Sequence, residues 1–169
     1  MREPDQDDGA SACPSCGMAA AGGLAGCHAA YEAVLARDYS DALYFRAHRT
    51  LVDCYCLQHP DRYCASAKSL AAHLIGLAFA VERGGTVAVA PERLRKWLDG
   101  DPGLKKPELP AARGDLTLAE VLAAPDAQAH TEAVARWARA VWTAYAPLHG
   151  VAREWLARSS LPRGERGRE

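Results

Sequence analysis

The short segment C-P-S-C-G at residues 13–17 constrains the fold of this chain more than any other stretch of its sequence. Two cysteines separated by two residues can direct both thiolates at one ion, and a following glycine permits the left-handed backbone that such a tight turn needs. A third cysteine, Cys27, comes after ten intervening residues. The pattern is typical of a metal knuckle, and it predicts that residues 13–27 bind a metal ion.

Cys13, Cys16 and Cys27 would make a soft, anionic site, which suits Zn best and Fe or Cu(I) less well. Structural zinc takes four ligands, so the knuckle lacks one. His28 follows Cys27 directly, but neighbouring residues project in different directions at the start of a helix. We therefore expect the fourth ligand to come from the second predicted helix or its exit. The candidates there are His48, Cys54, Cys56, His59 and Cys64. Of these, His48 and His59 are the preferred choices.

A second group of candidate ligands lies on the predicted helices that follow the knuckle. His48 and His73 fall on apolar helix faces, and His59 sits at a helix end, where a ring nitrogen can reach a metal. Between two antiparallel helices the three histidines would converge, and Asp53 would supply an oxygen ligand or a hydrogen-bond partner. Cys54 is a further candidate ligand. A lone histidine on an apolar face is usually a hydrogen-bonded core residue. The sequence therefore allows either one metal site or two.

The charge balance and the hydropathy of the chain narrow the class of protein. With 20 basic and 21 acidic residues the formal net charge is −1, which lacks the concentrated Lys and Arg excess that nucleic-acid binding needs. The longest apolar stretch, at residues 70–81, is too short to span a bilayer, and the acidic N-terminus does not resemble a secretory signal. We expect a cytoplasmic protein whose six cysteines are thiols or metal ligands. In a secreted protein the same six cysteines would allow three disulfides.

The spacing of apolar residues predicts an all-α fold, a helical bundle of about five helices with a small N-terminal metal knuckle. Residues 1–12 are acidic and polar, which indicates a disordered leader. Residues 13–158 are predicted to form a single helical domain, with the zinc knuckle at 13–27. Residues 159–169 are predicted to form a disordered tail. A proline-rich loop covers residues 100–114. The helices are predicted at residues 27–39, 41–58, 64–83, 91–98, 116–123 and 126–158.

The last predicted helix carries an aromatic stripe. The stripe consists of Trp137, Trp142, Tyr145 and Trp155. Pro147 is expected to kink the helix rather than end it, because the apolar pattern resumes beyond it. The stripe indicates either core packing or the seam of a homodimer formed through the C-terminal helix.

The knuckle and the helix behind it together resemble a known family. The shared features are C-x-x-C-G, a further cysteine about ten residues on, and a core helix of the form H-R-x-x-V-x-x-Y-x-x-Q-H-P. The matching residues are Cys13, Cys16, Gly17, Cys27, His48, Arg49, Val52, Tyr55, Gln58, His59 and Pro60, with Ser69 and His73 beyond. This pattern resembles an uncharacterised bacterial family, classed as a domain of unknown function, over residues 13–83. The resemblance supports a site shared between the knuckle and His48 or His59, and it implies no reaction.

Three functional hypotheses follow from these residues. In the first, a zinc ion clasps the N-terminal segment to the helical core of an adaptor or accessory protein. In the second, the protein is a metalloenzyme with an open metal position near His48, His59 and His73. In the third, Cys54, Cys56 and Cys64 serve a thiol-based redox or metal-sensing function. The sequence names no substrate and no partner for any of them.

Overall fold

Most of the residues that can be placed in this protein are helical. The structure is a computed structural model, and it describes residues 10–85, 91–159 and 161. In chain order the elements are β1 (Ala10–Ala12), β2 (Ala19–Ala21), α1 (Leu24–Ser40), α2 (Ala42–Phe45), α3 (His48–Gln58), α4 (Pro60–Tyr63), α5 (Ala67–Arg83), α6 (Pro91–Asp99), α7 (Leu118–Leu122), α8 (Ala127–Ala144), a 3₁₀ turn (Ala146–Leu148) and α9 (His149–Arg158). The helical fold class predicted from the sequence is confirmed.

The helices are more numerous and shorter than the sequence pattern predicts. Over the described ranges the structure has nine α-helices, where we expected about five. The segment predicted as one helix over residues 41–58 is divided into α2 and α3. The last predicted helix is likewise divided at Pro147, which has no backbone N–H to continue the helical ladder. The kink expected at this proline is therefore a break filled by a 3₁₀ turn.

The metal-knuckle sequence forms the turn of a small hairpin. Strands β1 and β2 pair antiparallel, with Ala12 opposite Ala19. Inside the turn the N–H of Cys13 donates to the carbonyl of Met18, and the N–H of Gly17 donates to the carbonyl of Cys13, both at 2.8 Å. Gly17 has φ of 79°, a left-handed conformation that glycine adopts without strain. Strand β1 thus occupies the end of the predicted leader, and residues 1–9 lie outside the described residues.

The hairpin packs directly against the first turn of α1. A Cβ atom at Gly26 would overlap the carbonyl oxygen of Ala21 in β2, so a side chain at this position would push the hairpin away. Only glycine permits this close approach of strand and helix. Cys27, the next residue along α1, is fully buried as a result.

The core of the protein lies among α3, α5, α8 and α9, where α3, α5 and α8 pack against one another. Leu51, Leu74 and Trp137 are each 0% exposed in this core. Tyr145 and Trp155 of the predicted aromatic stripe are also buried in it. The stripe therefore packs inside the chain, and a homodimer through the C-terminal helix stays a prediction. Within the described residues, none of the helices has both the length and the apolar character needed to cross a bilayer.

One buried glutamine ties the irregular segment before α7 to the core. The amide nitrogen of Gln58 donates to the carbonyl oxygens of Arg113 at 2.9 Å and Leu116 at 2.8 Å. Its amide oxygen accepts from the indole N–H of Trp137 at 3.1 Å. Because Gln58 is fully buried, losing any of these partners would leave a polar group unsatisfied. The residue beside His59 thus fixes the position of Arg113.

Candidate metal centre

Four side chains from three separate parts of the chain converge beside the hairpin. They are Cys13, Cys16, Cys27 and His59, and their ligand atoms all lie within 4.8 Å of one another. Each of the four is at most 8% exposed. Cys16 Sγ lies 3.7 Å from Cys27 Sγ, and His59 Nε2 lies 3.5 Å from Cys13 Sγ and 3.4 Å from Cys27 Sγ.

These separations match the geometry of a tetrahedral metal site. A zinc ion with Zn–S bonds of about 2.3 Å and Zn–N bonds of about 2.0–2.1 Å separates two sulfur ligands by about 3.8 Å. The same ion separates a sulfur from a nitrogen ligand by about 3.5 Å. The observed distances between Cys16 and Cys27, and between His59 and two of the cysteines, lie within about 0.2 Å of these values. The three thiols and one imidazole can therefore hold an ion with little rearrangement.

A break between two helices directs His59 into the cluster. His59 has φ of −123° and ψ of 54°, so it lies outside both α3 and α4. Pro60 causes this break, because a residue before proline is disfavoured in the α region, while proline itself is well suited to the first turn of a helix. The imidazole leaves the end of α3 and reaches the thiols that the hairpin and α1 supply.

Tyr55 holds the ring of His59 in one orientation. Nδ1 of His59 lies 2.8 Å from the carbonyl oxygen of Tyr55, so Nδ1 carries the proton and donates to that oxygen. This leaves the lone pair of Nε2 free to face the thiols. The Tyr55 ring stacks on the His59 ring with centroids 4.0 Å apart, and its hydroxyl lies 3.9 Å from Cys27 Sγ. A hydrogen bond from the second nitrogen of a histidine is the usual partner of metal ligation through the first.

The electrostatics of the cluster favour a bound cation. Burial raises the pKa of the Cys16 and Cys27 thiols, and the neighbouring Cys13 adds to the rise of both. Hydrogen bonds with Cys16 and Tyr55 oppose the rise at Cys27 without reversing it. Burial also acts to raise the pKa of Cys13, but hydrogen bonds from the backbone of Cys16 and Ser15 outweigh it, so that this pKa is lowered. Burial lowers the pKa of His59, which keeps its ring neutral near pH 7. Without a cation, three thiolates in this volume would repel one another, and a metal ion would remove that cost.

The other predicted ligands lie elsewhere. Nδ1 of His48 lies 3.1 Å from a carboxylate oxygen of buried Asp38, on the side of α3 that faces α1. Nδ1 of His73 lies 2.9 Å from Asp53, whose carboxylate also accepts from Arg49 at 2.8 Å. His48, His59 and His73 therefore do not converge on a second site, because each has a different partner. Of the two preferred fourth ligands, the structure brings His59 to the knuckle and not His48.

The remaining cysteines are buried away from the cluster. Cys54, Cys56 and Cys64 are at most 3% exposed, and all six cysteines of the chain are free thiols. Burial raises the pKa of each of the three, that of Cys64 to about 12. Redox-active cysteines need the opposite, an accessible thiol of low pKa. These three side chains are therefore poorly suited to the thiol-based redox function considered above.

One buried polar network was not anticipated from the sequence. Asp38 is 0% exposed, and its carboxylate lies 3.1 Å from His48 Nδ1 and 3.2 Å from His130 Nε2. Arg37 donates to His130 Nδ1 at 2.8 Å and to the carbonyl of Val121 at 2.9 Å. The network joins α1 to α3, α7 and α8. No local spacing signals it, because Asp38 and His130 lie far apart in the sequence.

Comparison with known proteins extends the likeness beyond the knuckle. The model of a family described as a family of unknown function, DUF5946, matches residues 11–146. No curated protein and no solved structure matches the chain significantly. The matched region contains all four residues of the cluster and reaches well past the segment 13–83 on which the motif resemblance rests. The chain therefore belongs to this family of unknown function, DUF5946.

Proposed function

We propose that this protein binds one zinc ion through Cys13, Cys16, Cys27 and His59, and that the ion clasps the N-terminal hairpin to the helical core. The observation that carries the proposal is the convergence of these four buried ligand atoms within 4.8 Å. The two hairpin cysteines precede α1, and His59 follows α3. A single ion would therefore join the hairpin, α1 and the α3–α4 junction at one point.

The choice of zinc rests on the donor set. Three thiolates and one imidazole are the ligands of many structural zinc sites, in which the ion is almost always tetrahedral. Fe and Cu(I) also bind thiolates, but a Cys₃His tetrahedron suits them less well. Carboxylate oxygens, which Mg²⁺ and Ca²⁺ require, are absent from the described cluster.

The role we infer for the ion is structural. Four protein ligands complete the coordination of zinc and leave no position open for water or substrate. The hairpin has two strands of three residues each, and a two-stranded hairpin this short is not stable alone. Binding of zinc to such a site contributes on the order of 10 kcal/mol, which here would order the hairpin against α1 and the α3–α4 junction.

A cytoplasmic location agrees with this role and belongs to the same proposal. All six cysteines are free, and the site needs three of them as thiolates, a state that a reducing compartment preserves. We further propose that residues 13–158 act as a single domain around this core.

Elemental analysis of protein purified without a polyhistidine tag tests the proposal. We expect close to one equivalent of zinc per chain. Cys16→Ser should lose the metal, whereas Cys54→Ser, which alters a buried cysteine outside the cluster, should keep it. Less than about half an equivalent of any transition metal, in protein shown to be folded by circular dichroism, would contradict the proposal.

A further inference from the structure

A cavity of about 410 Å³ opens beside the cluster, on the outer side of His59. Its walls come from the knuckle turn, the start of α1, the α3–α4 junction and the irregular segment before α7. The side chains that matter for its chemistry are Ser15, His28, Tyr55, Arg62, Tyr63 and Arg113. The volume falls within the range of cavities that accommodate small organic molecules.

The polar lining of this cavity is rich in hydrogen-bond donors. Arg62 and Arg113 each contribute a guanidinium, and Asp61 contributes the single carboxylate among the lining residues. Among the residues that the structure describes, neither arginine forms an ion pair with a carboxylate. The Arg113 guanidinium donates to the carbonyl of Ala112 at 3.4 Å and bonds to the Tyr145 side chain, which occupies two of its five N–H donors. Its remaining donors, and the guanidinium of Arg62, can still contact the oxygens of a ligand.

Both arginines are tied through their backbones to the α3–α4 junction, Arg62 to His59 and Arg113 to Gln58. The N–H of Arg62 donates to the carbonyl of His59 at 3.1 Å in α4, and its guanidinium lies 5.5 Å from the centre of the Tyr63 ring. The carbonyl of Arg113 accepts from buried Gln58 at 2.9 Å. Their backbones are thus held at the cavity wall before any ligand arrives, which lowers the cost of ordering them on binding.

Part of the lining is apolar. Leu24, Pro60 and the ring of Tyr55 contribute to it, and Tyr55 lies between the cavity and the cluster. An inorganic anion would leave this apolar surface wet, whereas an organic molecule would cover it.

We propose that this cavity binds a small organic molecule that carries a carboxylate or phosphate group, whose oxygens Arg62 and Arg113 recognise while its apolar part rests against Tyr55 and Pro60. This function goes beyond the structural metal site, since none of the four cluster residues is needed to contact the oxyanion. Bidentate contact of an arginine with a carboxylate or phosphate is the commonest way in which proteins recognise these groups.

Calorimetric titration of the zinc-loaded protein tests this inference. The probes are phenyl phosphate and benzoate, with inorganic phosphate as the anion alone and benzylamine as an aromatic probe of opposite charge. We expect saturable one-to-one binding of phenyl phosphate, benzoate or both, and weaker binding of inorganic phosphate. The double variant Arg62→Ala/Arg113→Ala should weaken this binding at least about tenfold, since it removes charge-assisted hydrogen bonds. Arg136→Ala, which alters an exposed arginine outside the cavity, should leave it unchanged.

Four results would overturn the inference. They are no saturable binding of either organic anion at millimolar concentration, equal binding of benzylamine, inorganic phosphate binding as tightly as phenyl phosphate, and unchanged binding by the double arginine variant. Zinc content is measured for each sample. A metal-free but folded wild-type protein would contradict the proposed zinc site, whereas loss of probe binding at constant zinc content reports on the cavity alone.

Discussion

Cys27 Sγ lies 3.4 Å from His59 Nε2, although 32 residues separate them along the chain. Cys27 belongs to the first turn of α1, and His59 lies at the break between α3 and α4. The hairpin adds two further thiols at the same point, so the contact joins the N-terminal segment to the centre of the helical core. We expect the properties of the protein to depend on this contact in the following ways.

Replacing the histidine ligand should release the metal. We expect His59→Gln to lower the zinc content below half an equivalent and to reduce the free energy of unfolding by more than about 4 kcal/mol, as loss of a structural metal does. His73→Gln is the matched control for zinc content, because His73 bonds to Asp53 and lies outside the cluster, so this variant should keep its zinc. Elemental analysis and denaturant unfolding measure the two effects. Full zinc content in folded His59→Gln would exclude this histidine as a ligand.

The Tyr55 hydroxyl should tune the metal site without being a ligand. Tyr55→Phe removes the group that lies 3.9 Å from Cys27 Sγ while keeping the ring that stacks on His59. We expect zinc affinity to fall about tenfold, as it does when a partner outside the ligand set is lost. In cobalt-substituted protein the sulfur-to-metal charge-transfer band should also shift.

Tyr31→Phe is the control for this effect. The Tyr31 ring stacks on Tyr55 with centroids 3.7 Å apart, but no contact joins its hydroxyl to the described cluster thiols. The cobalt spectrum should therefore be unchanged in this variant. A shift of equal size in both variants would show that packing of the rings, and not the hydroxyl of Tyr55, affects the metal.

Metal affinity should rise steeply with pH. Burial raises the pKa of the Cys16 and Cys27 thiols, so both carry protons near pH 7 in the metal-free protein, and zinc must displace them. The displacement of at least these two protons makes the apparent affinity rise at least about a hundredfold per pH unit below the thiol pKa values, and fall correspondingly towards acid. Competition with a chelator between pH 6 and 8 gives the slope. A pH-independent affinity would mean that the metal is not bound by these thiolates.

A methyl group at Gly76 should disturb the buried ion pair of α3. A Cβ at this position would overlap the carboxylate of Asp53, which Arg49 and His73 hold in place. Alanine favours a helix over glycine by about 1 kcal/mol, but the overlap should outweigh this gain and lower the free energy of unfolding by about 2–3 kcal/mol.

Gly150→Ala is the matched control for that substitution. Gly150 lies in α9, and a Cβ there meets no atom within 4 Å. We expect a change of at most about 1 kcal/mol, in the stabilising direction. Urea unfolding of both variants measures whether the overlap with Asp53 or the helix preference of alanine has the larger effect. Equal free energies of unfolding for Gly76→Ala and the wild type would show that Asp53 can move aside.

The features that the sequence predicts correctly are local ones. The helical class follows from apolar spacing within single segments. Pro60 predicts the end of α3, because its ring excludes the preceding residue from the helix. The knuckle turn follows from C-P-S-C-G in the same way, since every contact that shapes it lies within residues 13–18. Membership of a family of unknown function is also recognisable from the motif, and the family match confirms it.

Only the tertiary structure shows which of His48 and His59 lies beside the knuckle thiols. Both carry the same ring and stand at opposite ends of the same helix, so spacing ranks them equally. The packing of α1 gives the two histidines different partners. Cys27, at the start of α1, lies beside His59 at the end of α3, whereas Asp38, near the other end of α1, lies beside His48. The pairing of Asp38 with His130 depends on the same packing. The spacing of residues in the sequence determines which side chains share one face of a helix. The packing of one helix against another determines which side chains that face contacts, and this depends on the tertiary structure.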